Sequence, residues 1–261
     1  MKVHRSQAGK AVVVIVHGAF EHSGRYEWQV NRWTKAGYHV IIGDLPGQGE
    51  VEGKRGHIQS FNQYIRTVES WLEEAYQFNL PVFLLGHSMG GLIAIRTLQE
   101  IKHSVMGVIL SSPGLGMRTG PPKAVHYIST VLDYIYPSLR VKTNINPTLA
   151  TRNEDFHESD AADPYFLHQV SVRWFHEFNR AIDKAFDSIR YYPDLPILFL
   201  QAGDDHLVDQ HAVRHFYDKL AVVDKQFVLW PNLYHEVFNE PEREDVFQEA
   251  LNFTERLIKA E

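Results

Sequence analysis

Short apolar runs alternate with longer amphipathic segments along most of this 261-residue chain. Apolar residues at helical spacing over residues 25–36 and 60–77 predict helices. Buried strands are predicted by runs of about six mostly β-branched or apolar residues, which lie at 11–16, 38–43, 81–86, 107–112, 196–201 and 225–230. Strands that alternate with helices in this way are typical of a parallel sheet covered on both faces.

The alternation stops once, between about residue 114 and residue 190, where helical patterns follow one another without an evident buried strand. One of these patterns places four apolar residues on a single face: Val125, Ile128, Leu132 and Ile135. Neither flank resembles a flexible linker, so an insertion between two strands of one sheet is more economical than a second domain. The sequence therefore predicts a core of residues 1–113 and 191–261 and a helical insertion at 114–190.

The third predicted strand runs directly into Gly86-His87-Ser88-Met89-Gly90, and a helical pattern follows at once. Gly-x-Ser-x-Gly between a strand and a helix is typical of a nucleophile elbow, a strained turn that exposes a serine. Glycines are needed two positions before and after the serine, because side chains there would clash. An ordinary strand-turn-helix connection could also contain a serine, but this context favours Ser88 as a nucleophile.

A serine nucleophile needs a base and the base needs an orienting carboxylate, in the chain order Ser, acid, His for such an elbow. The acid is expected after the strand at 196–201, where Asp204, Asp205 and Asp209 are all candidates. The base is expected in the loop after the last strand, which contains His235. The sequence therefore predicts a catalytic triad of Ser88, His235 and an aspartate. The pattern alone does not decide which of the three aspartates it is.

The negative charge that develops on an attacked carbonyl oxygen needs N–H donors. One is the backbone N–H of the residue after the nucleophile, Met89, and the other is expected in a loop after an early strand. His17-Gly18-Ala19 follows the first predicted strand and is a suitable source. A plain strand-ending turn would explain His17-Gly18 equally well if Ser88 and His235 were not present.

Composition narrows the range of partners. The formal net charge is −6 and no run of Lys or Arg stands out, so no nucleic-acid partner is expected. The absence of cysteine excludes disulfides and thiolate metal sites and fits a reducing compartment.

His211 and His215 are spaced like a metal pair, but they lack the glutamate of His-Glu-x-x-His and a third ligand, so an exposed helix face is the better interpretation. The first 18 residues contain only six continuous apolar residues, which predicts a soluble, cytoplasmic protein.

Five strings, HGAFEHSGRY, GDLPGQG, GHSMGG, GDDHLVD and YHEVFNEPERE, resemble the serine α/β-hydrolases of the monoacylglycerol lipase and lysophospholipase family. The resemblance covers about residues 11 to 250. Four strings, GDLPGQG, RGHIQSF, ATRNED and VSVRW, resemble the bacillar phospholipases of that family more closely still. It implies an α/β-hydrolase fold, a mostly parallel central sheet flanked by helices, with residues 114–190 as the cap, or lid, over Ser88.

The resemblance also implies roles for particular residues. It selects Asp205 as the acid among the three candidates and makes Ala19 the first oxyanion donor, beside Met89. Glu21 and Arg25 match the segment that helps to hold the glycerol head group in monoacylglycerol lipases, with a local surface ion pair as an equal alternative. No metal and no organic cofactor are implied.

The resulting expectation is a carboxylic-ester hydrolase that acts on single-chain lipids, a monoacylglycerol or a lysophospholipid, through an acyl-enzyme on Ser88. Diacyl phospholipids are the alternative within the same chemistry. Carbon–carbon hydrolases, cofactor-free peroxidases and acyltransferases share the scaffold, and a non-enzymatic binding module is the third class. The apolar stripes of the cap are explained mainly by packing on the core, with an acyl channel or a transient membrane-surface contact as alternatives. No pattern indicates an oligomeric state.

Overall fold

The structure is a computed structural model that describes residues 1–51, 53–102, 104–118, 123–143 and 146–260. Within these ranges the strands are β1 (Lys2–His4), β2 (Ala11–Val16), β3 (Tyr38–Ile42), β4 (Val82–His87), β5 (Gly107–Ser111), β6 (Arg140–Lys142), β7 (Gln169–Ser171), β8 (Ile197–Ala202) and β9 (Lys225–Trp230). The main sheet has the order β1-β3-β2-β4-β5-β8-β9. Strand β1 is antiparallel to β3, and the other neighbours in this sheet are parallel.

Helices connect most of the parallel strands. They are α1 (Glu27–Lys35), α2 (Asn62–Tyr76), α3 (Met89–Glu100), α4 (Lys123–Ile135), α5 (Glu154–Ala162), α6 (Val172–Asp187), α7 (Gln210–Lys219) and α8 (Arg243–Ala260). Because side chains alternate along a strand, each central strand contributes apolar side chains to both faces of the sheet. Val12, Val14 and Val16 of β2 belong to one apolar cluster with α2, α3, α6 and α7, whereas Val13 and Ile15 belong to another with α1 and α8.

The predicted strands match six strands of the main sheet to within one residue at each end. Two strands begin and end at the predicted residues, β2 and β9. The sequence missed β1, which has only three residues and pairs at the sheet edge. It also missed the two-stranded antiparallel sheet of β6 and β7, where each strand again has three residues and β6 is exposed. Such short strands carry too few apolar positions to form a periodic signal.

The segment between β5 and β8, from residue 112 to residue 196, contributes no strand to the main sheet in the described part of the chain. We call it the inserted segment; it contains α4, β6, β7, α5 and α6. Helix α6 packs its apolar face on the core, burying Trp174, Phe178 and Ala181. The predicted stripe of α4 behaves differently, because Ile135 is 70% exposed. The side chains of Val125 and Ile128 lie outside the described residues.

None of the helices in the described part of the chain combines the length and apolar character that a membrane crossing needs. The same residues contain no group of three or more His, Asp or Glu side chains that could hold a metal ion. His211 and His215 are exposed on α7, as the sequence indicates for a solvated helix face.

Candidate active site

Ser88 lies in the tight turn between β4 and α3 with φ 51° and ψ −119°, a conformation that is strained for any residue other than glycine. Hydrogen bonds fix this turn on both sides. Ser88 N–H donates to the carbonyl of Ser111 at 2.9 Å, and the Ser88 carbonyl accepts the N–H of Gly114 at 2.8 Å. Strain of this kind costs about 1–3 kcal/mol and persists only where the surroundings hold it. The end of β5 therefore holds the serine at the apex.

The glycines around Ser88 allow three backbone segments to meet. A Cβ atom on Gly86 would lie 2.5 Å from the Gly90 carbonyl oxygen, and a Cβ atom on Gly90 would lie 2.1 Å from the carbonyl oxygen of Val16. A Cβ atom on Gly18 would lie 3.3 Å from the Cβ atom of Ser88. The start of α3 thus packs directly against the end of β2, and the loop after β2 passes beside the serine.

Asp205 and His235 form a buried hydrogen-bonded pair. His235 Nδ1 lies 2.8 Å from Asp205 Oδ2, and Asp205 Oδ1 accepts the N–H groups of Leu207 and Val208 at 2.9 and 2.8 Å. Burial alone would raise the pKa of Asp205, but His235 and these donors hold it below its usual value. Burial alone would lower the pKa of His235, but the Asp205 carboxylate raises it above its usual value.

The loops that carry these residues follow parallel strands of the same sheet. Ser88 follows β4, Asp205 follows β8 and His235 follows β9, and all three lie at the carboxyl edge of the sheet, where α/β folds place their sites. With Nδ1 of His235 facing Asp205, Nε2 is the ring nitrogen left to take a proton from a serine hydroxyl. The ring of His87, the residue before Ser88, lies with its centroid 4.9 Å from that of His235.

The other acid candidates have different surroundings. Asp204 has a side chain that is 49% exposed, and its Oδ1 lies 3.6 Å from His206 Nε2. Asp209 caps α7 by accepting the N–H of His211 at 2.9 Å. Of the three candidates, the structure brings Asp205 to His235, in agreement with the choice that the resemblance implies.

The loop that contains Ala19 is held at several points. His17 Nε2 accepts the N–H of Leu45 at 3.0 Å, so its other ring nitrogen carries the hydrogen and donates to the Gly18 carbonyl at 2.8 Å. Burial lowers the pKa of His17, which keeps the ring neutral. Phe20 adopts a left-handed φ of 71°, and its N–H donates to Gln48 Oε1 at 2.6 Å. These contacts fix the backbone on both sides of Ala19.

His87 is a buried neutral histidine beside the candidate triad. Its Nδ1 lies 3.1 Å from Ser111 Oγ. Burial, together with the neighbouring His235, lowers the pKa of His87 to about 4. A neutral ring at this position avoids placing a second positive charge against His235 when His235 itself becomes protonated.

Glu21 and Arg25 are not a surface ion pair, because both are buried in a larger cluster. Arg25 Nη1 donates to Glu21 at 2.5 Å. Arg25 Nε and Nη2 donate to the two carboxylate oxygens of Asp160 at 2.8 and 2.7 Å. Arg25 Nη1 and Nη2 also donate to the two carboxylate oxygens of Glu236, at 3.1 and 3.0 Å. Glu21 also accepts the N–H of Gly18 and, at 2.7 Å, the hydroxyl of Tyr26. The described donors of Arg25 are thus occupied by carboxylates, and direct contact with a head group stays a prediction.

The loop after β9 is also bound to the inserted segment. Glu236 N–H donates to the Ala150 carbonyl at 2.8 Å. Glu240, fully buried, accepts the Thr151 hydroxyl at 2.7 Å and the N–H of Tyr234 at 3.2 Å. The backbone next to His235 is therefore attached to the inserted segment directly at Glu236 and, on the other side, through the side chain of Glu240 at Tyr234.

Sequence reasoning missed three of the residues that build this site: Asp160, Glu236 and Glu240. Glu236 and Glu240 lie in the string YHEVFNEPERE, in which only the histidine has a predicted role. Asp160 lies in a stretch to which the pattern assigned no chemistry, 135 positions from Arg25. The i, i+4 spacing of Glu21 and Arg25 was the available signal for an ion pair, but it does not reveal burial.

Comparison with known proteins gives a family. The family model Hydrolase_4, described as serine aminopeptidase, S33, matches residues 7–242. The chain belongs to this family. Its fold is the α/β-hydrolase fold, and the fold class and family predicted from the sequence are confirmed.

Several relatives are lipid hydrolases by name. Phospholipase YtpA of Bacillus subtilis is 47% identical over 249 residues, which cover 95% of this chain and 96% of that protein. The monoglyceride lipase of Homo sapiens is 30% identical, covering 88% of this chain and 77% of that protein. The crystal structure of Paleococcus ferrophilus monoacylglycerol lipase matches with a TM-score of 0.86 at 30% identity and covers 100% of both chains. The chain is thus a member of a group of monoacylglycerol lipase-like and phospholipase-like α/β-hydrolases.

Proposed function

We propose that this protein is a carboxylic-ester hydrolase of single-chain lipids that works through an acyl-enzyme on Ser88. The observation that carries the proposal is the buried 2.8 Å contact between His235 Nδ1 and Asp205 Oδ2 at the same sheet edge as the strained turn of Ser88. This arrangement of roles is that of a serine-histidine-aspartate triad.

In the proposed reaction, Ser88 Oγ attacks the acyl carbonyl while His235 Nε2 takes the hydroxyl proton. Asp205 keeps the hydrogen on Nδ1 of His235 and stabilises the charged ring. The backbone N–H groups of Ala19 and Met89 bind the oxygen anion, and His235 then gives its proton to the departing alcohol. Water, activated by His235, attacks the acyl-enzyme and releases the fatty acid. This chemistry uses side chains and backbone of the protein alone.

Single-chain lipids are proposed as substrates from the relatives. One relative is named a phospholipase and another a monoglyceride lipase. The two single-chain lipids to compare are therefore a lysophospholipid, with a phosphate-containing head group, and a monoacylglycerol, with a glycerol head group. A diacyl phospholipid is the second candidate, favoured by the name of the 47% identical relative. The inserted segment is proposed to act as a cap over Ser88, because Phe20 beside Ala19 packs on Trp174 of α6 with a centroid distance of 5.3 Å.

We further propose that the inserted segment touches lipid surfaces through the end of α4. Val131, Tyr134, Ile135 and Tyr136 are 46%, 91%, 70% and 58% exposed. Exposed apolar groups mark surfaces that meet other proteins, ligands or membranes, and tyrosine suits a membrane interface because its ring is apolar and its hydroxyl is polar. The contact would bring the protein to substrates that reside in a bilayer or micelle.

The test is fatty-acid release by purified protein from monoacylglycerols, lysophospholipids and diacyl phospholipids of matched chain length. Release is expected from a single-chain lipid in the wild type and is expected to vanish in Ser88→Ala. Ser70→Ala is the matched control, because that serine is exposed on α2 and donates to the Thr67 carbonyl. No release from any lipid would overturn the lipase proposal, and peroxide-dependent oxidation or carbon–carbon bond cleavage would then identify another chemistry of the scaffold.

A further inference from the structure

Three carboxylates surround the guanidinium of Arg25, and each comes from a different part of the fold. Glu21 lies after β2, Asp160 lies on α5 of the inserted segment, and Glu236 lies after β9. The four side chains are at most 10% exposed. One cation among three anions leaves the cluster with an excess of negative charge in a poorly hydrated region, where charge acts over several ångströms.

This negative charge lies beside the candidate catalytic histidine. Glu236 directly follows His235, and its carboxylate is fixed by Arg25 and by Asn239 Nδ2, which donates at 2.7 Å. Its backbone is fixed as well, because the Glu236 N–H donates to the Ala150 carbonyl at 2.8 Å and its carbonyl accepts the N–H of Asn239 at 2.7 Å. Neither the backbone nor the carboxylate of Glu236 can shift without breaking these bonds.

We propose that Glu236, held by Arg25, is a positioning residue for His235 and that Glu236 and Glu21 together stabilise the protonated form of the His235 ring. The inference rests on the proposed hydrolase function. In that function, the ring becomes positively charged each time Ser88 attacks, so negative charge placed nearby lowers the energy of that state. Asp205 supplies the first such charge by direct contact, and the carboxylates of Glu236 and Glu21 add to it without touching the ring.

Some surroundings of His235 raise the pKa of its ring and others lower it. Burial lowers the pKa of His235, whereas Asp205, then Glu236 and Glu21, raise it, with a net rise above the usual value. His87 is neutral at pH 7 and so adds no positive charge beside the ring, whereas the guanidinium of Arg25, a cation bound to Glu236 and Glu21, opposes the charging of the ring. The pKa of Glu236 is raised by burial but lowered overall to about 2 by Arg25 and the other donors, so this carboxylate is ionised throughout the working range.

The direct test is the pKa of His235, measured by NMR titration of its ring resonance, assigned by comparison with a His235→Gln sample. Glu236→Gln is expected to lower that pKa by about 0.5 unit or more, because it removes a nearby charge and preserves the side-chain shape. An unchanged pKa of His235 in a folded Glu236→Gln variant would overturn the proposal. Should Glu236→Gln fail to fold, Glu21→Gln carries the same test with the same expected direction.

Asp160→Asn is the matched control, since it removes a carboxylate from the same guanidinium, but from α5 of the inserted segment and not from the residue next to His235. The pKa of His235 is expected to move by less than about 0.2 unit in this variant. If Asp160→Asn lowers the pKa as much as Glu236→Gln does, the effect is a general loosening of the cluster and the proposal is wrong. Circular dichroism and urea unfolding report whether each variant is folded.

The kinetic consequence is measured separately, as the rate of Ser88 labelling by a fluorophosphonate against pH. The acidic limb of this profile is expected to shift to lower pH in Glu236→Gln, and the rate on the plateau is expected to fall about two- to threefold, because the ring is a weaker base. A merely structural defect would lower the plateau and leave the limb in place. Because NMR reads the ring directly, a protein that hydrolyses no lipid would refute the proposed function without deciding this inference.

Discussion

The side chain of Glu240 accepts both the backbone N–H and the guanidinium Nε of Arg152, each at 2.5 Å. Arg152 belongs to the inserted segment and Glu240 to the loop that carries His235. Glu240 is fully buried. A carboxylate suits this position because it offers two acceptor oxygens to the two N–H groups that Arg152 donates. The candidate catalytic histidine is therefore supported by a part of the chain that lies outside the main sheet.

Glu240→Gln is expected to loosen this attachment. The amide replaces one acceptor oxygen with a donor that faces other donors, so stability is expected to fall by about 1–3 kcal/mol. Amide hydrogen exchange should become faster in residues 150–153 and 234–240 together. The control is Glu242→Gln, which also contacts Arg152 but is 40% exposed, and for which a change below about 0.5 kcal/mol is expected. Equal effects of the two variants would contradict the assigned importance of Glu240.

Asp205→Asn is expected to lower kcat by about 10⁴-fold, because the amide cannot hold His235 in the tautomer that accepts the serine proton. KM is expected to change little, since Asp205 does not face the substrate. The neighbouring variant Asp204→Asn carries the same chemical change on a half-exposed side chain without contact to His235, and its kcat is expected to stay within twofold. Steady-state kinetics on one ester distinguish them, and a large loss in Asp204→Asn would show that the acid has been misassigned.

The sequence predicts the main sheet well, because its central strands are continuous apolar runs such as Ala11–Val16 and because one tight turn requires the glycines around Ser88. Periodicity does not reveal what an apolar face contacts. The periodicity of α4 predicts packing on the core, yet Ile135 is 70% exposed, whereas the stripe on α6 is buried. Arg25 and Asp160 are 135 positions apart and meet only in the folded chain, so no local sequence pattern could have predicted their contact.

Gly90→Ala is expected to disrupt the elbow. The added Cβ atom would lie 2.1 Å from the carbonyl oxygen of Val16 and 2.6 Å from that of His17, so the start of α3 must move away from β2. Overpacking of this kind costs about 1–3 kcal/mol or more, and here the displaced segment also holds Ser88. Urea unfolding is expected to show the loss of stability, and labelling of Ser88 by a fluorophosphonate is expected to slow. Wild-type stability and labelling in Gly90→Ala would refute the close approach of α3 to β2.

Asp160→Asn is expected to remove a pH-dependent part of the stability. Burial and the neighbouring Glu236 and Glu21 raise the pKa of Asp160 to about 6, although Arg25 opposes the rise. Between the unfolded pKa of 3.8 and this value, the folded protein binds a proton that the unfolded chain does not, so this contribution to stability grows as pH falls. From pH 7 to pH 5 the wild type is expected to gain about 1 kcal/mol relative to Asp160→Asn.

The measurement is urea unfolding of both proteins at the two pH values, with Glu242→Gln as the control. The hydrogen bond from Arg152 lowers the pKa of Glu242 below its usual value although burial raises it, so Glu242 stays ionised between pH 7 and pH 5 beside a partner that keeps its charge. Its difference from the wild type is therefore expected to stay constant over this range. A constant difference for Asp160→Asn as well would show that Asp160 is ionised throughout and that its surroundings do not disfavour the charge.

The exposed end of α4 gives a prediction about lipid surfaces. If Tyr134 and Ile135 enter the interface, the double variant Tyr134→Ser with Ile135→Ser is expected to bind phosphatidylcholine vesicles at least about tenfold more weakly, since each buried apolar side chain contributes about 1.5–3 kcal/mol. Co-sedimentation with vesicles measures this binding. Val223→Ser is the matched control, because Val223 is 89% exposed in the loop between α7 and β9, outside the inserted segment. Vesicle binding that is absent in the wild type, or equally weakened by Val223→Ser, would contradict a lipid contact through α4.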